Sequence, residues 1–320
     1  MSEIPLTRGP TDFDGFSRNA DMAETIVPPD GRYGVARLRN IMSIDVEDLD
    51  AMNFESMAQC RHQKLESRVC ANMNVLLESL AAHGAKATMF FLGTVAERFP
   101  DLVRRADAEG HEIASHGYGH ELVSRQTRDE FREDVARSIG ILQQITGRPV
   151  LGYRAPSWSI SNKTPWAYEV LVELGLRYDA SLFPFTTYLY GDGNAPTRPF
   201  ARQVGQRTLH EVPASVLCLF GRRFPFGGGF YLRAMPWLIT RMATYLANRA
   251  GQPVVFYIHP REIDPQQPRF SLPWRDRLVA YANLGTTLKK VHRLLSLGPT
   301  VTVLQSLEAC GMSNHATATD

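Results

Sequence analysis

Cysteine is scarce in this chain of 320 residues, which contains only four. They are scattered through the sequence with no C-x-x-C pair, so they indicate reduced or buried thiols and not a disulfide framework or a thiolate metal site. Long apolar runs are missing too, since none approaches the ~20 residues that a membrane-spanning helix needs. Residues 1–16 contain acids and prolines where an export signal requires an apolar stretch. These absences predict a soluble, cytoplasmic protein.

An excess of charge of one sign is also missing. The chain has 35 Lys and Arg against 33 Asp and Glu, a formal net charge of +2 at pH 7. This balance gives no reason to expect nucleic acid or an anionic membrane as a partner. The 44% apolar content allows a sizeable core in one large α/β domain or two small ones.

Three parts of the chain are predicted from the distribution of its residues. Residues 1–37 carry prolines, glycines and acids without a clear period, which indicates an extended N-terminal arm. Residues 38–310 are interpreted as one catalytic domain, and residues 311–320 as a flexible tail. Within the domain, residues 183–230 are rich in Pro, Gly and aromatic residues, so long loops and short strands are expected there over the mouth of an active site.

Strand and helix patterns alternate along the domain. Predicted strands cover 38–44, 86–92, 112–115, 150–153, 176–179, 253–258 and 301–304; predicted helices cover 69–82, 101–108, 127–145, 165–175, 236–250 and 282–297. This alternation favours an α/β fold with a mostly parallel sheet. Polar residues recur where the predicted strands end, which favours an incomplete barrel over an open sheet.

The most informative stretch is Ser115-His116-Gly117-Tyr118-Gly119-His120. Its two histidines are four residues apart, and imidazoles at that spacing can converge on one metal ion. Taken alone, the pattern also fits two histidines in a surface loop.

Other polar residues supply the remaining parts of a metal-assisted hydrolytic site. Such a site needs two or three ligands that leave a coordination position open for water, here His116, His120 and one carboxylate. It also needs a base for the water, for which Asp45 or its neighbours could serve, and an acid for the leaving amine, for which His259 is placed. Arg154 would hold the base by a charge-assisted bond. Individually, His259 also fits a structural histidine and Arg154 a salt-bridge partner.

Together these motifs resemble those of the polysaccharide deacetylases of carbohydrate esterase family 4, which include nodulation-factor and chitin deacetylases. The resemblance covers about residues 39–308 and is strongest to the branch found with exopolysaccharide and exosortase loci. It implies a distorted (β/α)7 barrel of TIM-like form. Ser43-Ile44-Asp45-Val46-Glu47-Asp48 matches the first motif with one residue inserted between the acids, which implies Asp45 as the general base and Glu47 as the carboxylate ligand, with Asp48 as an alternative.

The other motifs carry the remaining implied roles. In the second motif His116 and His120 bind the metal, and Gly117 stands where Ser or Thr is usual. In the third, Tyr153-Arg154-Ala155-Pro156-Ser157, the resemblance implies that Arg154 holds the base and that the Ser157 backbone N–H faces the oxyanion. Phe256-Tyr257-Ile258-His259-Pro260 matches the fifth motif, which makes His259 the general acid.

Substrate contacts are expected from residues around these motifs. Tyr178-Asp179-Ala180-Ser181 matches the fourth motif loosely, without the family's tryptophan in register. The residues expected to contact substrate are Tyr153, Trp158, Asp179 and Phe230. Contact with sugar is also expected from the Gly-rich stretch 227–231 and from the acids Glu262 and Asp264, with a purely structural role in the loop as the alternative.

The predicted function is therefore removal of N-acetyl groups from N-acetylhexosamine units of an exopolysaccharide or its oligosaccharide precursor, with release of acetate. The implied cofactor is Zn²⁺, with Co²⁺ or Ni²⁺ as alternatives. A first rival is an allantoinase-like hydrolase of another C–N bond, which would need a closed pocket instead of a groove lined by aromatics such as Trp158, Phe226 and Phe230. A second rival is a catalytically silent carbohydrate-binding protein.

Overall fold

The computed structural model describes residues 39–52 and 66–312. The predicted arm at 1–37, nearly all of the predicted tail at 311–320, and Cys60 lie outside these residues. Among the helices of the described segments, none is both long and apolar enough to cross a membrane.

Within the described residues the strands form one curved sheet and a separate hairpin. Their bounds are β1 Ile41–Val46, β2 Thr88–Phe91, β3 Glu112–Ser115, β4 Gly152–Tyr153, β5 Tyr178–Asp179, β6 Phe200–Val204, β7 Arg207–Glu211, β8 Val216–Leu219, β9 Arg222–Pro225 and β10 Val255–Ile258. The large sheet has the order β10-β1-β2-β3-β4-β5-β7-β6, and its neighbours are parallel except for β6, which pairs antiparallel with β7 at one edge. The strands β8 and β9 form the antiparallel hairpin.

Helices follow most strands and cover the sheet. Their bounds are α1 Val69–Ala82, α2 Gly93–Arg98, α3 Pro100–Ala108, α4 Arg128–Thr146, α5 Trp166–Glu173, α6 Gly229–Ala234, α7 Trp237–Arg249, α8 Trp274–Tyr281, α9 Leu284–Leu295 and α10 Val303–Ala309. All residues of β1, β2 and β10 are buried, as expected of parallel strands with both faces covered. Seven mutually parallel strands in a curved sheet confirm the predicted distorted (β/α)7 architecture.

Local sequence signals locate several helix ends correctly. Thr127 and Glu130 form the predicted capping box at the start of α4, and Gly147 ends that helix in the left-handed conformation at φ 68°. The strand predicted at 301–304 is wrong. Val301 makes only an isolated bridge to Ile41, because Thr302 caps α10 by accepting from the Gln305 backbone N–H, and a helix follows at once.

We expect Gly152→Ala to destabilise the fold, because a Cβ there would lie 2.0 Å from Cζ of the Tyr178 ring. Tyr178 is fully buried, and its hydroxyl donates to Glu112 at 2.7 Å, so the ring has little freedom to move. The expected loss is about 1–3 kcal/mol in the free energy of unfolding, measured by urea denaturation. In the matched control Gly140→Ala, on the exposed side of α4, a Cβ meets nothing within 4 Å. That change should stabilise the protein by up to about 1 kcal/mol.

A pH dependence of stability is expected from His111. Burial lowers its pKa to about 4, with a further contribution from Lys86. The unfolded chain therefore binds this proton below about pH 6.5 while the folded protein does not, so stability is present above pH 6.5 and is lost as the pH falls towards 4. His111→Gln should reduce this loss by an amount on the order of 3 kcal/mol, measured by comparing urea denaturation of both proteins from pH 7 to pH 4. Parallel pH profiles would contradict the assignment.

Candidate metal centre and active site

The polar residues at the carboxyl ends of the strands surround one cavity of about 390 Å³. This is the end of a parallel barrel at which active sites lie. Of the residues predicted from the sequence, those lining the cavity are Asp45, Glu47, His116, His120, Ser157, Trp158, Gly229, Phe230, His259 and Glu262.

Glu47, His116 and His120 form a cluster that could hold a metal ion. One ligand atom from each lies within 4.8 Å of the others, and all three side chains are buried. His116 Nδ1–H donates to the carbonyl of Arg154 at 2.7 Å, which leaves Nε2 as the lone-pair nitrogen, 3.8 Å from Glu47 Oε2. His120 Nε2 lies 2.8 Å from the same oxygen. Two imidazoles and one carboxylate, with the second nitrogen of one imidazole bound by a backbone carbonyl, fit a catalytic divalent ion.

The charge states of this cluster suit a metal ligand set. Burial by itself would raise the pKa of Glu47, but the nearby His120 and His259 and hydrogen bonds with both cluster histidines hold it well below its usual value. Burial lowers the pKa of His120 against the attraction of Glu47. An anionic carboxylate and a neutral imidazole are the forms that bind a cation.

The loop between the two histidines is held by Asp134 of α4, a residue that the sequence analysis missed. Its carboxylate accepts from the backbone N–H groups of Tyr118 at 2.7 Å and Gly119 at 3.0 Å. Gly117 has φ +77°, and a Cβ there would lie 2.7 Å from Asp134 Oδ2, which accounts for glycine where the family usually has Ser or Thr. In the sequence, Asp134 is visible only as an acidic residue within the helix predicted to begin at residue 127.

Asp48, the alternative carboxylate ligand, lies outside the cluster. Its side chain accepts from the backbone N–H of Leu49 at 2.9 Å and so caps a 3-10 turn at Leu49–Ala51. Successive residues at the end of a strand point in opposite directions, so only one of two adjacent acids can face the histidines. Glu47 is that residue.

Asp45 and Arg154 form a buried ion pair beside the metal cluster. Arg154 Nη1 donates to Asp45 Oδ1 at 2.6 Å and to Ser43 Oγ at 2.9 Å, and its Nε donates to the carbonyl of Ala180 at 3.2 Å. Its guanidinium also lies over the ring of Phe90, 4.1 Å from the centroid. The second oxygen of Asp45 is left facing His259 Nε2, at 3.7 Å.

His259 is oriented by a second buried ion pair. Its Nδ1–H donates to Glu262 at 3.2 Å, and Glu262 accepts from Arg233 Nε of α6 at 2.7 Å. Burial lowers the pKa of His259, but the charges of Glu47, Glu262 and Asp45 outweigh it, so the pKa is raised. Glu262 lines the cavity with its carboxylate engaged by His259 and Arg233, and Asp264 is paired with Arg68. Contact of these two acids with sugar stays a prediction. Arg233 was not foreseen.

Ser157 and Trp158 form a strained turn on the wall of the cavity. Both have positive φ, 50° and 54°, which is uncommon for residues other than glycine and typical of functional sites. The Trp158 ring packs against Phe183 and Tyr257, with centroids 5.5 and 5.1 Å away. Phe230 lies on the same cavity at the start of α6.

Three residues expected near substrate do not line the cavity. Tyr153 packs edge-to-face on Phe131 of α4, because alternate strand residues point to the helix layer. The carboxylate of Asp179 accepts from the hydroxyl and backbone N–H of Ser181, and Phe226 is in the core. Asp179 still acts on the site indirectly, since Ser181 Oγ accepts from the Ala155 N–H at 2.7 Å, at the base of the 155–158 turn.

The fold and the site together define a barrel with the polar constellation of a metal-assisted hydrolase. Residues 68–178 match the family model for polysaccharide deacetylases, and residues 180–304 match a domain of unknown function (DUF3473). Over residues 68–178 the chain is therefore similar to the polysaccharide deacetylases.

Curated relatives agree with this similarity. The chain is 37% identical over 95 residues to a peptidoglycan-N-acetylglucosamine deacetylase of Bacillus cereus, covering 29% of this chain and 34% of that protein. It is 32% identical over 122 residues to a peptidoglycan deacetylase of Helicobacter pylori, covering 38% and 41%. The matched region thus spans about a third to two fifths of these relatives' length. Among solved structures, PuuE allantoinase has a TM-score of 0.61 at 16% identity, covering 93% of this chain and 99% of that one, a likeness of fold alone.

We expect Glu47→Gln to weaken divalent-metal binding and Asp48→Asn to leave it intact, because only Glu47 lies with the two histidines. Removing a ligand should cost at least about 100-fold in affinity, since even outer-shell changes cost 10–100-fold. Asparagine at position 48 can still cap the turn, so the control should fold normally. Competition with a chromogenic chelator gives both affinities. The reverse order of effects would make Asp48 the ligand.

Proposed function

We propose that this protein is a divalent-metal-dependent N-deacetylase that hydrolyses the acetamido group of N-acetylhexosamine units in an oligo- or polysaccharide. The observation that carries the proposal is the convergence of two groups on one cavity of a polysaccharide deacetylase fold. The first is the cluster Glu47, His116 and His120, and the second is the facing pair Asp45 and His259. We propose Zn²⁺ as the ion, since two imidazoles and a carboxylate are a common catalytic zinc set.

Asp45 is suited to act as general base. Its Oδ1 is held by Arg154, while Oδ2 faces the cavity beside His259. In the reaction, Oδ2 takes a proton from the attacking water as the water oxygen bonds to the acetyl carbon. A bound divalent ion supplies Lewis acidity at this site, lowering the pKa of water and polarising the acetyl oxygen.

His259 is suited to act as general acid. Glu262 accepts from Nδ1–H and so directs Nε2–H towards Asp45 and the cavity. When the C–N bond breaks, Nε2 gives its proton to the leaving nitrogen, and the products are acetate and a free amine. Arg233 keeps Glu262 ionised and in place, so it acts on the reaction only by positioning.

The turn at 155–158 is suited to bind the acetyl group and the sugar. Ser157 lines the cavity in a strained backbone conformation, and its N–H is the proposed donor that stabilises the developing oxyanion. Trp158 and Phe230 offer apolar faces on which a sugar ring can lie. The names of the curated relatives specify peptidoglycan substrates, which supports an N-acetylated glycan here. The resemblance to the exopolysaccharide-associated branch points to an exopolysaccharide or its precursor.

The decisive experiment is acetate release from N-acetylglucosamine oligomers by metal-reconstituted protein. Asp45→Asn should lower kcat by about 10²–10⁴-fold, the usual contribution of a general base. His116→Ala should abolish turnover together with metal binding. Asp48→Asn is the matched control and should retain activity. Turnover retained in Asp45→Asn would contradict the mechanism. A wild type that is inactive on all N-acetylated glycans but hydrolyses a cyclic amide would favour the allantoinase-like alternative.

A leaving-group test separates the acid from the base. Phenolate leaves without prior protonation, so His259→Gln should slow deacetylation of the amide by about 10²-fold or more and affect hydrolysis of an aryl acetate much less. Asp45→Asn should slow both reactions, because both need water to be activated. Equal losses on both substrates in His259→Gln would show that His259 holds the site together and does not donate the proton. The comparison of kcat on the two substrates is the measurement.

A further inference from the structure

One surface of the described part of the chain exposes large apolar side chains that no other described residue covers. The surface called the arginine-rich face below consists of α7 and the β8–β9 hairpin (residues 216–225). These two elements are neighbours, because Ala247 of α7 and Val216 at the base of the hairpin line one small pocket. The exposed apolar residues on α7 are Leu238 at 67% exposed, Ile239 at 51%, Met242 at 52%, Tyr245 at 55% and Leu246 at 36%. Their spacing of three and four residues places them on one side of the helix. The other side, which includes Ala243 and Ala247, is buried.

The tip of the hairpin is unusual in both conformation and exposure. Phe220 and Gly221 form the two-residue loop between β8 and β9, with φ 52° and 71°. Positive φ at both central positions is the type I′ turn, which favours Asn-Gly and is strained for a bulky residue. Phe220 is also 100% exposed. No residue of 39–52 or 66–312 therefore packs on this ring, and packing within the described fold does not explain a phenylalanine at this turn.

The charge of this part of the chain is entirely of one sign. No acidic residue occurs between Glu211 and Glu262, whereas six arginines do. Of these, Arg222, Arg241 and Arg249 are exposed, and no carboxylate of residues 39–52 or 66–312 lies within the 4.0 Å of an ion pair with them. The net charge of +2 is a sum over the whole chain and does not show this local excess of arginine. By itself it therefore gave no reason to expect an anionic partner.

We propose that the arginine-rich face binds the surface of an anionic lipid bilayer. Phe220 and the apolar side of α7 would enter the boundary between headgroups and acyl chains, and the arginines would bind lipid phosphates. A second copy of the chain fits less well, because a symmetric dimer joins the same patch of both subunits and would bring arginine against arginine.

Binding in this orientation would bring the catalytic cavity close to the bilayer. Arg223 Nη1 of the hairpin donates to the carbonyls of Pro184 and Ala195, the latter at 2.6 Å. The loop held in this way, residues 183–195, contributes Tyr190 and Asp192 to the cavity wall. If the proposed function holds, the natural substrate is then a saccharide attached to or lying on a lipid surface.

The test is flotation of the full chain with phosphatidylcholine vesicles, with and without phosphatidylglycerol. We expect binding to the anionic vesicles only, weakened by added salt. Phe220→Asn should weaken binding by at least about tenfold, the contribution of one buried aromatic side chain. Asparagine suits the turn, so this variant should melt no lower than the wild type. Arg241→Gln should weaken binding by about fivefold.

The control comes from α8, which exposes Trp274 at 65% and Leu278 at 50% beside the acid Asp276. Trp274→Gln and Leu278→Gln should leave vesicle binding unchanged. Equal binding of Phe220→Asn and wild type, or no binding of wild type to anionic vesicles, would overturn the proposal. A dimer in light scattering that Leu238→Gln dissociates would also overturn it, in favour of a subunit interface. Acetate release from soluble oligomers by Phe220→Asn should equal wild type, so this test fails or succeeds separately from the proposed deacetylase activity.

Discussion

The site depends on one buried arginine, because Arg154 joins five strands at the mouth of the barrel. Its guanidinium binds Ser43 and Asp45 of β1, lies over Phe90 of β2 and donates to the carbonyl of Ala180 after β5. Its own carbonyl accepts from His116, which follows β3, and its backbone continues β4. A buried guanidinium destabilises the folded state unless its charge is paired. Burial of Arg154 therefore requires both the ion pair with Asp45 and the hydrogen bonds that orient the guanidinium. Arg154 therefore positions Asp45, the proposed base, through its side chain, and through its backbone carbonyl it sets the tautomer of His116, a candidate metal ligand.

The residues of the candidate site come from both regions that the family models match and from the segment that precedes them. The polysaccharide deacetylase model covers His116, His120 and Arg154, whereas Asp45 and Glu47 precede it. The domain of unknown function contains His259 together with Glu262 and Arg233, the ion pair that orients it. This second region therefore supplies the proposed acid, and the rest of the chain supplies the proposed base and the candidate metal ligands. It also carries the β8–β9 hairpin and α7, so one part of the chain combines the candidate acid with the arginine-rich face.

Charged residues are distributed unevenly both in the cavity and on the outer surface. At the cavity, Asp45 is paired with Arg154 and Glu262 with Arg233, so each of these two buried pairs is internally neutral. Arg261 Nε lies 3.8 Å from Glu47 and makes no hydrogen bond through Nε or Nη1 within the part of the chain that the structure describes. On the outside, arginines without acids are gathered on one face. Neither feature is visible in a net charge close to zero.

The sequence by itself determined the strand–helix alternation, the barrel class and most of the site, because buried parallel strands are continuous apolar runs and their polar termini stand out. It located Asp45, the histidine pair, Arg154 and His259 for that reason. Only the tertiary structure decided between Glu47 and Asp48, since side-chain direction at a strand end depends on the pleat and on the adjacent turn. It also removed Tyr153 and Asp179 from the cavity and revealed Asp134, Arg233 and the strained Phe220. Asp134 and Arg233 act through contacts with other segments of the chain, and a linear pattern of residue types contains no record of such contacts.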